Sequence, residues 1–382
     1  MHSTKKSFLL PVVFALLTAC ASPVFVPDQT VISTEQLLRA TPLTGSNDIP
    51  DLPDVDVLAV NRDMLEFLDR HVNRHHGRTL KLHELLYAII TEGSFGLEYD
   101  ERTRTAQETF AARRGNCLSF TNMFVAMARE VGINATYQEI DIPPNWTHEG
   151  DIYMLTRHVN VIVDMGGNIV KEVDFNIDDF QSSYNRKIIS DARALAHYYS
   201  NIGAEFLQQD KPLEALRFFR KAATGDESFA PVWSNLGALY SRAGHFDYAE
   251  AAYLQALRLN PEELVAMSNL GQLYQFQGKT ELADRYFARS NQHRMQNPYY
   301  RYHLARKAFL GKDYEAAIKH LKYSLRKKKG EDTFYFLMGL SYLGKGDEVV
   351  AQRWLKKAEE IATDDGLKRN YHNKIERLLE SG

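Results

Sequence analysis

Cys117, His158 and Asp174 are the side chains of this sequence best equipped for covalent chemistry. A thiolate attacks acyl carbon, an imidazole takes and returns the proton, and a carboxylate holds the imidazole in one tautomer. Asn116 stands before an apolar stripe, Leu118, Phe120, Phe124, Met127 and Val131, that ends at Gly132. This pattern predicts a capped helix over 117–131, with Cys117 in its first turn. There the free backbone N–H groups and the helix dipole favour a thiolate, and Arg113 and Arg114 add positive charge.

The partners of the thiol fall on β-rich runs at 135–142, 157–164 and 169–175, which predict an antiparallel sheet with a hairpin between the last two. A three-residue loop, Met165, Gly166 and Gly167, would pair Asp164 with Asn168 and so set His158 opposite Asp174. Opposed residues share a face with Cβ atoms about 5 Å apart, near enough for a carboxylate to orient the ring. A two-residue loop would send the two side chains to opposite faces, so the register decides the matter. Asp178 and Asp179 are alternatives for the third member. His75, His76 and His83 lack neighbouring Cys or carboxylates at ligand spacing and read as solvated histidines, with no metal or cofactor implied.

Apolar residues at helical spacing predict two more helices, over 57–73 (Leu65, Leu68, Val72) and 80–91 (Leu82, Leu85, Leu86, Ile89). Arg114-Gly115-Asn116-Cys117 opening a helix, Gly132-Ile133-Asn134-Ala135 leading into a strand, Arg157-His158-Val159 and Glu172-Val173-Asp174 together resemble the transglutaminase-like superfamily, relatives of the papain-type thiol enzymes. The resemblance covers about 99–175. It implies Cys117 as nucleophile, His158 as general base and then acid, and Asp174 as orienter. It also implies an oxyanion held by the Cys117 backbone N–H and one upstream group. No tryptophan precedes Cys117 as in animal transglutaminases, and no calcium loop is present.

Beyond about 191 the chain repeats with a period of 34 residues, from starts at Ala196, Ala230, Leu264, Pro298 and Asp332. The eighth position is Gly203, Gly237, Gly271, Ala305 and Gly339, and the twentieth is alanine throughout, from Ala215 to Ala351. Large residues hold the seventh and twenty-fourth, such as Leu236 and Tyr253. Small positions let paired helices approach while large ones fill the gaps. These positions, with Trp233, Tyr240, Gly244 and Pro261, resemble the tetratricopeptide family. The fold expected is an α+β transglutaminase-like domain, helices packed on an antiparallel sheet, followed by an all-α tetratricopeptide solenoid.

Ahead of both, Lys5 and Lys6, an apolar run over 8–17 and small residues before Cys20 have the layout of a secretory signal. Leu17-Thr18-Ala19-Cys20 resembles the lipobox of bacterial lipoproteins, which implies lipidation at Cys20 and an envelope location. By the same resemblance, Ala21 rather than an aspartate after the cysteine implies, in a Gram-negative host, the periplasmic face of the outer membrane. Acylation of Cys20 leaves Cys117 as the other of 2 cysteines, unpaired in an oxidising compartment. The expected order is a signal peptide over 1–19, a Pro-, Ser- and Asp-rich flexible tether over 20–57, the thiol domain over 58–191, five repeats over 192–365 and a capping helix over 366–382.

With 46 Lys and Arg against 49 Asp and Glu, the net charge of −3 provides no global field for nucleic acid. Arg326 to Lys329 reads as a solvated basic helix end. The first helix of each repeat lines the concave groove of such arrays, here with Ser234, Ser268, Gln272, Gln275, Tyr302, Arg306 and Phe336. A polar and aromatic lining suits an extended peptide or protein surface. The chain therefore reads as an envelope-anchored cysteine acyl-transfer enzyme that hydrolyses a peptide or amide bond, its repeats binding substrate or partner. The competing reading is a catalytically silent scaffold, or an assembly lipoprotein, whose repeats mediate protein–protein interaction.

Overall fold

The structure, a computed structural model, describes residues 32–46, 49–90, 95–141, 158–167, 169–175 and 185–362, with Lys368 and His372. The signal segment, Cys20, Arg157, Asp178, Asp179 and nearly all of the expected capping helix lie outside the described residues.

Two short helices, α1 (Thr34–Leu37) and α2 (Thr41–Thr44), begin the described chain, followed by α3 (Arg62–His71) and α4 (Arg78–Ile90). The helix expected from 57 starts later because Asn61 caps it, its side chain accepting from the Met64 amide at 3.0 Å. Strand β1 (Glu98–Tyr99), helix α5 (Ala106–Ala112), strand β2 (Arg114–Gly115) and helix α6 (Cys117–Glu130) come next. Strands β3 (Asn134–Asp141), β4 (His158–Gly166), β5 (Ile169–Val173) and β6 (Asn185–Ile188) form an antiparallel sheet of order β5-β4-β3-β6. Helix α6 lies on this sheet, with Val159, Val161, Val163 and Val173 packed beneath its buried Met123, Phe124 and Met127.

Five helix pairs follow among the described residues: α7 (Asp191–Gln208) with α8 (Pro212–Gly225), α9 (Ala230–Arg242) with α10 (Phe246–Leu259), and α11 (Leu264–Phe276) with α12 (Thr280–Gln296). The last two are α13 (Pro298–Leu310) with α14 (Tyr314–Lys327), and α15 (Asp332–Gly344) with α16 (Glu348–Ile361). Four of the leading helices start where the 34-residue count does, whereas α7 starts earlier, where Ser190 accepts from the Arg193 amide at 3.2 Å. Within a pair the eighth position decides the approach: a Cβ on Gly237 would stand 2.4 Å from the Tyr253 ring. Only glycine lets that aromatic close the pair.

The segment expected as a flexible tether is, over 32–46 and 49–57, docked on the repeats. Leu37 and Ala40 are buried, the Tyr240 hydroxyl donates to the Leu37 carbonyl at 2.7 Å, Arg217 donates to the Pro50 carbonyl, and Arg220 and Lys221 pair with Asp51 and Asp54. The Asp and Pro residues that read as a spacer are ligands for basic side chains on α8. One hydrophobic core runs from Leu37 through the sheet domain to Tyr286, while the last two pairs have smaller clusters of their own. No described helix is long and apolar enough to cross a membrane.

Candidate active site

Cys117 opens α6, so its amide has no acceptor within the helix. The cap is built in layers. Asn116 accepts from the Ser119 amide at 3.0 Å and hydroxyl at 2.9 Å, and its own Nδ2 donates to Thr103 Oγ1 at 2.8 Å. The Thr103 amide donates in turn to Glu205 on α7 at 2.8 Å, so the first repeat anchors the loop that anchors the cap. Burial pushes the Glu205 carboxyl up, against the pull of the Thr103 hydrogen bonds. Arg104 adds a two-armed pair to Asp100 at 2.7 and 2.8 Å and a bond to the Arg114 carbonyl at 3.2 Å. Gly115 makes the sharp entry possible, since a Cβ there would lie 2.5 Å from that of Ser119.

His158 is the first described residue of β4 and is buried, and both oxygens of Asp174 lie 2.8 Å from its Nε2. The register that brings them together differs from the expected one. Gly166 pairs with Ile169 across a two-residue loop, and a bulge at Met165 then shifts the ladder so that Asp164 faces Val170 and Val161 faces Val173. The next step sets Asn160, not His158, against Asp174. A two-residue loop alone would have sent His158 and Asp174 to opposite faces, and the extra residue restores their shared face. The bulge is held by the Gly166 amide donating to Asp164 Oδ1 at 2.8 Å and by left-handed backbone at Gly166 and Gly167.

A carboxylate only accepts, so His158 Nε2 donates to Asp174, and Cys117 is a further hydrogen-bond partner of the ring. Burial disfavours the imidazolium, but the hydrogen bonds and charges of Asp174 and Cys117 outweigh it and push His158 up to about 9. The thiol itself is partly exposed.

Several residues around the triad carry no sequence signal of their own. Strand β1 runs parallel to β2 and places Tyr99 against Gly115, two residues before the nucleophile. Burial raises the Tyr99 hydroxyl, and the charge of Cys117 adds to the rise. Asn160, fully buried, donates from Nδ2 to Asp174 Oδ2 at 3.1 Å and to Glu172 Oε1 at 2.5 Å, and Arg186 Nε pairs with both Glu172 oxygens at 3.0 and 3.1 Å. The alternation of β4 and β5 was the available hint, because it sets residues 158, 160, 172 and 174 at even steps.

The groove residues fare unequally. Gln275 and Arg306 are exposed and Gln272 is half-buried. Tyr302 is a core residue instead, its ring 4.9 Å from that of Phe334, because the fifth position of this repeat abuts the next leading helix. Ser234 and Ser268 are likewise buried, and Phe336 packs on the last helix pair. Of the other histidines, His76 pairs with Glu84 at 2.7 Å and His83 stacks on Tyr87.

A thiol at a helix start, an imidazole and a carboxylate on a hairpin, and a following run of paired helices define two classes of module, and comparison with known proteins finds both. Residues 67–166 match the transglutaminase-like superfamily, taking in Cys117 and His158 and stopping before Asp174. Residues 230–263 match the tetratricopeptide repeat. The anaphase-promoting complex subunit cut9 of Schizosaccharomyces pombe is 30% identical over 124 residues, which are 32% of this chain and 18% of that protein's length. Among solved structures, YrrB, described as a tetratricopeptide protein with an unusual peptide-binding site, is 21% identical over 47% of this chain and 92% of its own, with a TM-score of 0.25. The pilF protein of Pseudomonas aeruginosa is 16% identical over 50% and 87% of the two chains, with a TM-score of 0.27. The chain thus carries a transglutaminase-like domain ahead of a tetratricopeptide solenoid.

Proposed function

We propose that this protein is a cysteine acyl-transfer enzyme that hydrolyses peptide or amide bonds, held at the cell envelope by a lipid on Cys20, with its repeats recruiting the substrate or a partner. The observation that carries the catalytic part is the Cys117–His158–Asp174 constellation, in which a buried histidine has both the thiol and the carboxylate as hydrogen-bond partners. The thiol proton passes to His158 before the attack, so sulfur bonds to the carbonyl carbon as a thiolate facing an imidazolium. The oxyanion lies against the free amide of Cys117 at the positive end of α6. The imidazolium returns its proton to the leaving amine, and a thioester remains. Water, deprotonated by His158, then releases the acid and restores the thiol.

The recruiting part is supported by Phe276 and Leu310, at the same position of successive repeats, 74% and 76% exposed beside Gln275 and Arg306. Apolar anchors with polar neighbours at repeat spacing fit an extended peptide. The envelope part is supported by the sequence of the first 20 residues alone.

The test is the pH dependence of Cys117 alkylation by iodoacetamide in the protein lacking residues 1–20, compared with His158→Ala and Asp174→Ala. An ordinary thiol reacts with a midpoint of about 8.5. Rapid alkylation well below that pH, lost with His158, is the expected result. A thiol that titrates as an ordinary one in all three proteins transfers the function to the repeats, with the triad domain as a silent binding module.

A further inference from the structure

The two edge strands of the sheet, β5 and β6, are separated by β4 and β3, yet Glu172 on one and Arg186 on the other are paired side chain to side chain. That ion pair crosses the face of the sheet that carries Asn160, and Asn160 beneath it is fully buried. The amide orientation of Asn160 is settled by its partners. Both are carboxylates, so the two Nδ2 hydrogens point to Glu172 and Asp174, and Oδ1 is left buried with no hydrogen-bond partner. A buried acceptor without a donor works against stability, so the sheet gives up stability to hold this side chain in one pose. The pose serves Asp174, whose Oδ2 takes the second Asn160 hydrogen while both oxygens face His158 Nε2.

Glu172 and Asp174 are carboxylates two residues apart on one face, and Asn160 bridges them. Without a cation, the two like charges would push Glu172 outward and take its half of the bridge away. Arg186 supplies that cation, with a side chain mostly buried.

We propose that Arg186 is a positioning residue that, through Glu172 and Asn160, holds Asp174 square to His158. The inference rests on the thiol-enzyme reading of the site and extends it: the reactivity of Cys117 depends on an arginine of the far edge strand, β6.

The experiment is the alkylation profile of Cys117 between pH 5 and 9 in the chain lacking residues 1–20, for wild type, Arg186→Gln, Arg186→Lys, Glu172→Gln and the Arg186→Gln/Glu172→Gln double variant, with thermal unfolding recorded for each. Arg186→Gln is expected to slow alkylation below pH 8 by about tenfold, the lower end of the loss when a group that orients a ligand is removed. Arg186→Lys restores part of the rate, and the double variant is no worse than the poorer single one, since the residues act in one chain. Additive losses that follow thermal stability would mean that Arg186 only braces the sheet and would overturn the positioning role. If the wild-type profile is itself indifferent to His158, the enzyme reading fails and this inference with it; a His158-dependent wild type matched by Arg186→Gln overturns this inference alone.

Discussion

Asp174 meets His158 on the diagonal of the β4–β5 ladder, with its carboxylate 2.8 Å from Nε2, while Asn160 occupies the directly opposed place. Diagonal neighbours on one face are within reach of longer side chains, so the ring spans the gap that an opposed pair would not have. The arrangement leaves Asn160 to brace the carboxylate from the side, so two side chains of β4 hold the acid at once. Each of the two contacts depends on the single extra residue at Met165.

His158 titrates at about 9 in the folded chain against an ordinary 6.5, so the folded state binds its proton more tightly than the unfolded one. The stability that this proton brings is complete below about 6.5 and is lost as pH rises through about 9. Thermal unfolding of wild type should therefore lose more between pH 6.5 and 9.5 than that of His158→Gln. In Asp174→Asn the ring resonance of His158 should titrate well below its wild-type midpoint, because the carboxylate charge is gone. Equal pH slopes in wild type and His158→Gln would contradict the assignment.

Gly115→Ala places a methyl 2.5 Å from Ser119 Cβ, against the residue whose amide and hydroxyl bond to the Asn116 cap. Overpacking of this kind costs about 1–3 kcal/mol. The damage falls on the first turn of α6, so alkylation of Cys117 at pH 7 should drop more steeply than for Gly77→Ala, where a Cβ meets nothing within 4 Å.

Why some of this was legible and some was not follows from the range of the signals involved. Asn116 before the stripe from Leu118 to Val131 is local, and α6 begins at Cys117 as a cap rule requires. The 34-residue period is legible because each repeat meets only its neighbours, and the leading helices start at Ala230, Leu264, Pro298 and Asp332. The bulge at Met165 is not, because Gly166 and Gly167 serve a two- or a three-residue loop equally well and only the packing of Val161 and Val173 chooses. Strand β6 and Arg186 were missed because a four-residue edge strand carries too little pattern. The tether was misjudged from composition, since Leu37 and Asp51 show their partners only once α8 and α10 are in place. Tyr302 reads as a groove aromatic until Phe334 of the following repeat covers it.

Docking of residues 32–57 rests partly on the Tyr240 hydroxyl, buried and donating to the Leu37 carbonyl. Tyr240→Phe keeps the ring and removes the bond, at a cost of about 0.5–1.5 kcal/mol. Limited proteolysis should then cut within 32–57 faster than in wild type, with the repeats unaffected. Wild-type cleavage already as fast as that of an unstructured peptide would restore the tether.

The sheet domain and the first repeat meet at His197 on α7, whose Nε2 lies 2.8 Å from Glu139 Oε1 on β3, with both side chains largely buried. His197→Ala leaves the carboxylate without that partner at a cost of about 1–3 kcal/mol. Because one hydrophobic core joins the sheet to the first three helix pairs, this loss cannot stay on one side of the interface. Sheet and repeats should unfold together in wild type, seen as coincident transitions from probes attached in β5 and in α10, and the His197→Ala protein should melt earlier with both probes still coincident. Separate transitions in wild type would mean that the sheet domain is an independent unit. The Thr103–Glu205 bond would then be too weak a link for the repeats to hold the cap of α6 in place.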